Sequence, residues 1–378
     1  LPAWMSYGKA RIAFANSGYG GRQYLDQNYY AVNSPYIVGT PTVQSLGTYK
    51  PEITSSFEAG LEWQFLNDRI GFDVTYYSTK SKNQLLLINI PLPTLFIQKY
   101  INAGLIQNRG VELMVHAMPV KTPGFSWDIA LNYSKNANKV LELTKDITSV
   151  ILNDNREAQI RAVVGGSYGD MYVKDWKKDS LGRRLVDDQG KPILTAGNTE
   201  FLGNYNPDFM AGLQNTLNYK NFSLSFLIDY RKGGYVIAGT QALLDADGHS
   251  QASLEGRESG LVLDAYTEDG KPNTQSITAQ QYWSAIGDRY PTGGLYAYSA
   301  TNIRMRELTF GYRLPKKLLE RQNFLKDVKI SVVGRNLFFF QRSAPIDPEI
   351  TWGTSVGGLE YGALPSTRTM GLNLKLSF

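Results

Sequence analysis

The sequence predicts an all-β chain, an antiparallel transmembrane β-barrel wall of about ten strands with long extracellular loops. Three observations predict it. Segments of about ten residues alternate between apolar and polar side chains, and a period of two marks a strand, whose successive side chains point to opposite faces. Tight turns alternate with very long connections, the asymmetry of outer-membrane barrels, in which periplasmic turns are short and external loops long. No run reaches the roughly 18 apolar residues a membrane-spanning helix needs, and "LLLINIPLPTLF" is broken by Pro91 and Pro93.

The elements follow in order. A first strand lies near 9–16, and a loop covers 17–54. "SFEAGLEWQF" places Phe57, Ala59, Leu61, Trp63 and Phe65 on one face, and "LNDR" turns it into "IGFDVTYYS", a hairpin. After a loop at 81–108, "GVELMVHAM" (Val111, Leu113, Val115), a turn at "PVKTPG" and "FSWDIALNYS" (Phe125, Trp127, Ile129, Leu131, Tyr133) repeat the pattern. A loop at 136–207 leads to "FMAGLQNTLNY", a turn at Lys220 and Asn221, and "FSLSFLIDY". A loop at 232–302 precedes "TNIRMRELTFGYRL", a helical link "PKKLLERQNFLKD", and "VKISVVGRNLFF"; 339–367 is the last loop. Loops this long are uncommon in compact soluble domains.

The chain closes on "TRTMGLNLKLSF", with Met370, Leu372, Leu374, Leu376 and Phe378 against Gly371, Asn373, Lys375 and Ser377. In a membrane barrel the apolar face meets lipid along the whole strand, so apolarity to the last residue is expected and Phe378 falls at the inner aromatic girdle. Leu61, Trp63, Val111, Leu113, Trp127, Ile129, Leu224, Phe226, Leu374 and Leu376 are expected to face lipid, and His116, sharing parity with Glu112 and Met114, to face the lumen.

Composition agrees. The 24 Tyr, 16 Phe and 36 Gly favour strands and turns. The absence of cysteine excludes disulfides and Cys-ligated metal sites. A net charge of +5 spread among mixed charges, without a basic run, argues against nucleic acid as a partner. The start, "LPAWMSYGKARIAF", has no signal-peptide pattern, so the chain is expected to begin within a longer protein or after a removed leader.

No catalytic, metal or cofactor site is expected. "GGSYG" at 165–169 fits G-x-S-x-G but lacks the strand, helix and triad partners of a nucleophile elbow. "DADGH" at 245–249, ending in His249, lacks the later ligands of a calcium loop and reads as an acidic turn, as does "TEDGKP". What remains is recognition by aromatic loop residues: Tyr168, Tyr172, Trp176, Tyr282, Trp283, Tyr290, Trp352 and Tyr361, with Tyr296 and Tyr298, among Asp170, Asp175, Arg183, Asp288 and Arg289. Such faces suit sugar rings or peptide side chains, and they equally suit packing the loops together or an outer girdle.

"YKPEITSSFEAGLEWQFLNDRIGFDVTYYSTKSKNQLL", "NAGLIQNRGVELMVHAMPVKTPGFSWDIALNYSKNANKVLEL", "NIRMRELTFGYRLPKKLL" and "VKISVVGRNLFFF" resemble the C-terminal part of the SusC/RagA family of TonB-dependent outer-membrane transporters. "NAGLIQNRGVEL" and "RELTFGYRLP" carry most of the likeness. The resemblance implies a 22-stranded barrel, an N-terminal plug, a segment contacting the TonB complex, a SusD-like surface lipoprotein as lid, and import of oligosaccharides or peptides. Residues 1–378 are then expected to be the C-terminal portion of the barrel, with the plug and earlier strands lying outside them. The alternative is a self-contained ten-stranded outer-membrane barrel acting as an adhesin, a pore or a surface protease. Pairing of 9–16 with 369–378 distinguishes the two.

Overall fold

The computed structural model describes residues 2–378 except 3, 22, 24–27, 29–30, 35–36, 40, 48, 91, 95, 145–146, 320–323 and 351–356. Ten strands run antiparallel in one sheet, and their spatial order is the chain order. They are β1 (Met5–Tyr19), β2 (Glu52–Phe65), β3 (Ile70–Asn89), β4 (Gln98–Thr122), β5 (Phe125–Glu142), β6 (Phe209–Tyr219), β7 (Phe222–Lys232), β8 (Asn302–Arg313), β9 (Asp327–Arg342) and β10 (Thr369–Ser377). A short strand, Val43–Gln44, adds in parallel beside the start of β4. Among the described residues β1 and β10 are the edges of the sheet and do not pair with each other.

Residues directly opposite each other in a ladder share a face, so the register sorts the side chains. One row reads Trp63, Phe72, Val115, Leu131, Leu213, Ile228, Met305, Phe338. A second reads Trp127, Leu217, Leu224, Phe310, Val332, Leu372. All ten residues expected to meet lipid lie on this face. Its polar exception, Asn215, accepts a hydrogen bond from Trp127 Nε1 at 3.1 Å, so its carbonyl is satisfied without water. The opposite face reads Thr75, Glu112, Ser134, Met210, Arg231, Asn302 in one row, and His116 is on it, 3.1 Å from the Asp68 carbonyl.

The sheet curls around the polar face. Arg11 of β1 and Arg306 of β8 line one cavity, although seven strand spacings, about 34 Å, would separate them in a flat sheet. The apolar face is therefore convex. Two aromatic belts bound it: Trp63, Phe65, Phe72, Phe222, Phe310 and Tyr312 at the tight-turn end, and Tyr133, Phe209 and Tyr230 at the long-loop end. From Tyr219 to Phe209, at about 3.4 Å per residue and a tilt near 40°, the belts stand about 26 Å apart, the height of an outer-membrane apolar band. Phe378 packs on Phe324, ring centroids 4.7 Å apart.

Three expectations are corrected. The segment 81–108 is not a loop: the β3–β4 ladder continues to the pair Asn89–Gln98, leaving 90–97 as the connection. "TKSKNQ" stays in the ladder apart from a break at Asn83, but loses the apolar alternation, because nothing above the membrane demands an apolar face. β1 likewise runs from Met5 to Tyr19, past the expected 9–16. Among the described residues the link after β8 holds one turn of helix, Lys316–Leu319, and 320–323 lie outside them.

The long connections form a packed body. The 136–207 segment holds a four-stranded sheet of Ser149–Asp154, Gln159–Val163, Asp170–Val173 and Glu200–Asn204. The 232–302 segment holds α1 (Gly239–Ala246) and α2 (Ala279–Ile286), the latter opened by a capping box between Thr278 and Gln281. One core joins Ile160, Met171 and Val173 to Ile237, Ala242, Ile286, Tyr296 and Leu359, so three separate connections share it. "DADGH" is the end of α1, with Gly248 at φ +72 stopping the helix.

Candidate functional site

Two adjoining cavities of about 630 and 960 Å³ lie on the concave face and share Glu112, Ser134 and Met210 in their linings. The wall is built from side chains that lie across neighbouring strands, and glycines make this possible. Gly60 stands between Arg11 of β1 and Asp73 of β3. A Cβ there would come within 2.6 Å of Arg11 Nε, so its absence lets the guanidinium cross β2 to Asp73, with Nη1 and Nη2 donating at 3.1 and 2.5 Å. Gly110 does the same for Tyr77, whose hydroxyl crosses β4 to donate to Asn136 Oδ1 at 3.1 Å.

Above these, an amide network links barrel to loops. Asn108 Oδ1 accepts from Asn136 Nδ2 at 3.2 Å and Asn138 Nδ2 at 2.8 Å. Asn138 Oδ1 accepts from the Tyr168 backbone N–H at 2.6 Å, docking the "GGSYG" turn onto the wall. Asn206 Nδ2 donates to the Tyr168 carbonyl at 3.2 Å, and Asn204 Nδ2 to Asp170 Oδ1 at 3.0 Å. Tyr168 and Tyr205 line this cavity as neutral phenols, their pKa values pushed up by burial. Amides that both donate and accept, beside aromatic rings, can bind hydroxyl-rich or peptide ligands. No reactive group stands among them.

The far side of the smaller cavity is held by charge. Arg306 donates through Nε to Asp229 at 2.5 Å and through Nη2 to both oxygens of Glu349, at 3.1 and 2.8 Å. Arg304, buried over the Phe339 ring, is in ion contact with the equally buried Asp347. Burial alone would raise the Asp347 pKa, but Arg304 and the Glu349 backbone N–H hold it below the usual carboxylate range. These pairs fasten the 343–350 segment to the inner wall.

The aromatic residues nominated from sequence divide into lining and core. Tyr168 lines the larger cavity. Trp176 is instead a core residue, 3% exposed, its indole donating to the Leu185 carbonyl at 2.6 Å; Tyr282 and Trp283 on α2 pack beside the loop cores. Tyr172 lies under Arg161 and against Phe201. Tyr290 and Tyr361 flank the guanidinium of Arg156, 5.4 and 5.6 Å from the ring centroids. Trp352 lies outside the described residues. Sequence reasoning missed Asn108, Asn136, Asn138, Asn204, Asn206 and Tyr77; the readable signal was polar parity on strands, carried past the membrane level.

The family profile described as TonB dependent receptor-like, beta-barrel matches residues 9–337. TonB-dependent receptor P3 of Formosa agariphila is 25% identical over 359 residues, covering 86% of this chain and 34% of its own. TonB-dependent receptor SusC of Bacteroides thetaiotaomicron is 26% identical over 345 residues, covering 87% and 32%. The solved structure of the RagAB peptide transporter superposes with a TM-score of 0.76 at 19% identity, covering 99% of this chain and 41% of that one, a likeness of fold. The chain thus spans about a third of the length of the curated relatives it matches.

Proposed function

Because the chain belongs to the TonB-dependent receptor-like β-barrel family of outer-membrane transporters, which are not enzymes, we propose that it is the C-terminal part of an importer barrel for oligosaccharides or peptides. The observation that carries this reading is the amide- and tyrosine-lined cavity on the concave face, walled by barrel strands and joined to the packed loops. The convex face is suited to outer-membrane lipid. Its open edges at β1 and β10 are met by strands supplied from outside residues 1–378, since hydrocarbon tolerates no unpaired edge. The loop body lies outside the cell and seats a SusD-like lipoprotein, and energy arrives from the TonB complex through a plug that precedes the barrel. The self-contained barrel would require β1 to pair with β10, and among the described residues the two strands stand as the edges of the sheet, which supports the importer reading.

Uptake by intact cells tests this. Cells carrying the whole transporter should accumulate labelled oligosaccharides or peptides, lose uptake when the proton gradient is collapsed, and lose it again with Asn138→Ala. A closed, heat-modifiable, ion-conducting barrel assembled from residues 1–378 alone would overturn the reading in favour of the self-contained barrel.

A further inference from the structure

Three arginines line the smaller cavity, and two of them are spoken for: Arg11 by Asp73, Arg306 by Asp229 and Glu349. Arg231 is not. It sits on the inner face of β7, opposite Met210 and Asn302 in the register. Among the described residues its one side-chain hydrogen bond runs from Nη2 to the Tyr205 carbonyl at 2.9 Å, its Nε is buried without a partner, and no carboxylate is in ion-pair contact with it, Glu349 acting on it only through its charge at a distance. Glu349 lines the same cavity, but both its oxygens are taken by Arg306. A guanidinium presents five donors in a planar fork matched to two oxygens of one anion, so one without an ion-pair partner on a cavity wall is a receptor in want of an oxyanion.

We propose that Arg231 receives the carboxylate or sulfate of an acidic oligosaccharide, which makes this importer selective for anionic glycans; the inference rests on the importer reading above. The cavity supplies the rest of such a ligand's needs. Glu112, Ser134 and Met210 carry it into the larger cavity, where the Asn108, Asn136 and Asn138 amides offer donors and acceptors side by side. Sugar hydroxyls also donate and accept, and the Tyr77 and Tyr168 rings offer faces for pyranoses. The anion then anchors one residue of the glycan while neutral contacts hold its neighbours.

Calorimetric titration of the purified whole transporter in nanodiscs tests this with tetragalacturonate, its methyl ester and triglutamate. The wild-type protein should bind tetragalacturonate at least 10-fold more tightly than the uncharged ester, a comparison that needs no mutation. Arg231→Gln should weaken the acid far more than the ester and so remove that preference, while Arg231→Lys should restore part of it. Equal affinity for acid and ester, or an acid affinity untouched by Arg231→Gln, would overturn the proposal while leaving import of neutral substrates intact. Arg231-dependent binding of triglutamate without tetragalacturonate would overturn the glycan assignment. A lowered melting temperature of Arg231→Gln with ligand affinities unchanged would reassign the residue to a structural contact.

Discussion

Replacing Leu374 by Arg puts a charge on the convex face at a depth the structure defines. Leu374 faces away from the cavity, opposite Ile330, with Leu372 and Leu376 on the same side of β10. Each strand residue climbs about 2.6 Å along the membrane normal at a 40° tilt, which puts Leu376, Leu374, Leu372 and Met370 about 5, 10, 16 and 21 Å above Phe378. In an apolar band about 25 Å tall, Leu374 and Leu372 flank the midplane. Arginine there should cost about 2–4 kcal/mol, falling to about 1 kcal/mol at Leu376 and Met370. Asn373→Arg, on the face that already holds Lys375, should cost little. The assay is the urea midpoint of the whole receptor in lipid vesicles for each variant. A profile without a midplane maximum, or an Asn373→Arg cost equal to that of Leu374→Arg, would refute a lipid-facing strand.

Other consequences follow from the interior. Asp347→Ala leaves the buried Arg304 with only its longer 3.6 Å contact to Glu349 and should cost about 3 kcal/mol, read as a lower melting temperature of the receptor. Because the folded-state pKa of Asp347 is depressed, its contribution is full above the unfolded value near 3.9 and is lost as pH falls through the lower folded value, so Asp347→Ala should flatten the acid limb of stability. Gly60→Leu should displace Arg11 from Asp73 at about 1–3 kcal/mol, and adding Arg11→Ala should recover part of the melting temperature. Trp176→Ala, at about 3–5 kcal/mol, should speed proteolysis within 136–207.

The barrel wall was legible because lipid imposes a simple rule on each strand. Leu113, Trp127 and Leu372 had to alternate with polar neighbours, and a period of two survives in one dimension. Above the membrane that rule lapses, which is why the ladder from Ser81 to Asn89 read as a loop. The cavity wall was harder to see, since Asn108, Asn136 and Asn138 come together only through the register of β4 and β5. For Trp176 and Tyr296 the sequence left recognition and packing equally open for a related reason: a long loop that builds its own core uses aromatics as filling, and composition does not separate a buried ring from an offered one.

On the importer reading, the unexpected length of β3 and β4 also sets how fast a bound molecule leaves. From Phe72 to Asn89, seventeen residues of rise carry the wall about 44 Å up, and after a band of about 25 Å some 20 Å of paired rib stands above the membrane. Arg231, nine residues above Phe222, sits near the outer surface, at the bottom of that rib's height. A molecule released there starts at the foot of a shaft. It collides with the wall many times before reaching open water, and each collision is a chance of recapture. Residence time then grows with the height of the rim as well as with the strength of the contacts, so trimming the β3–β4 hairpin should quicken dissociation without touching a single binding residue.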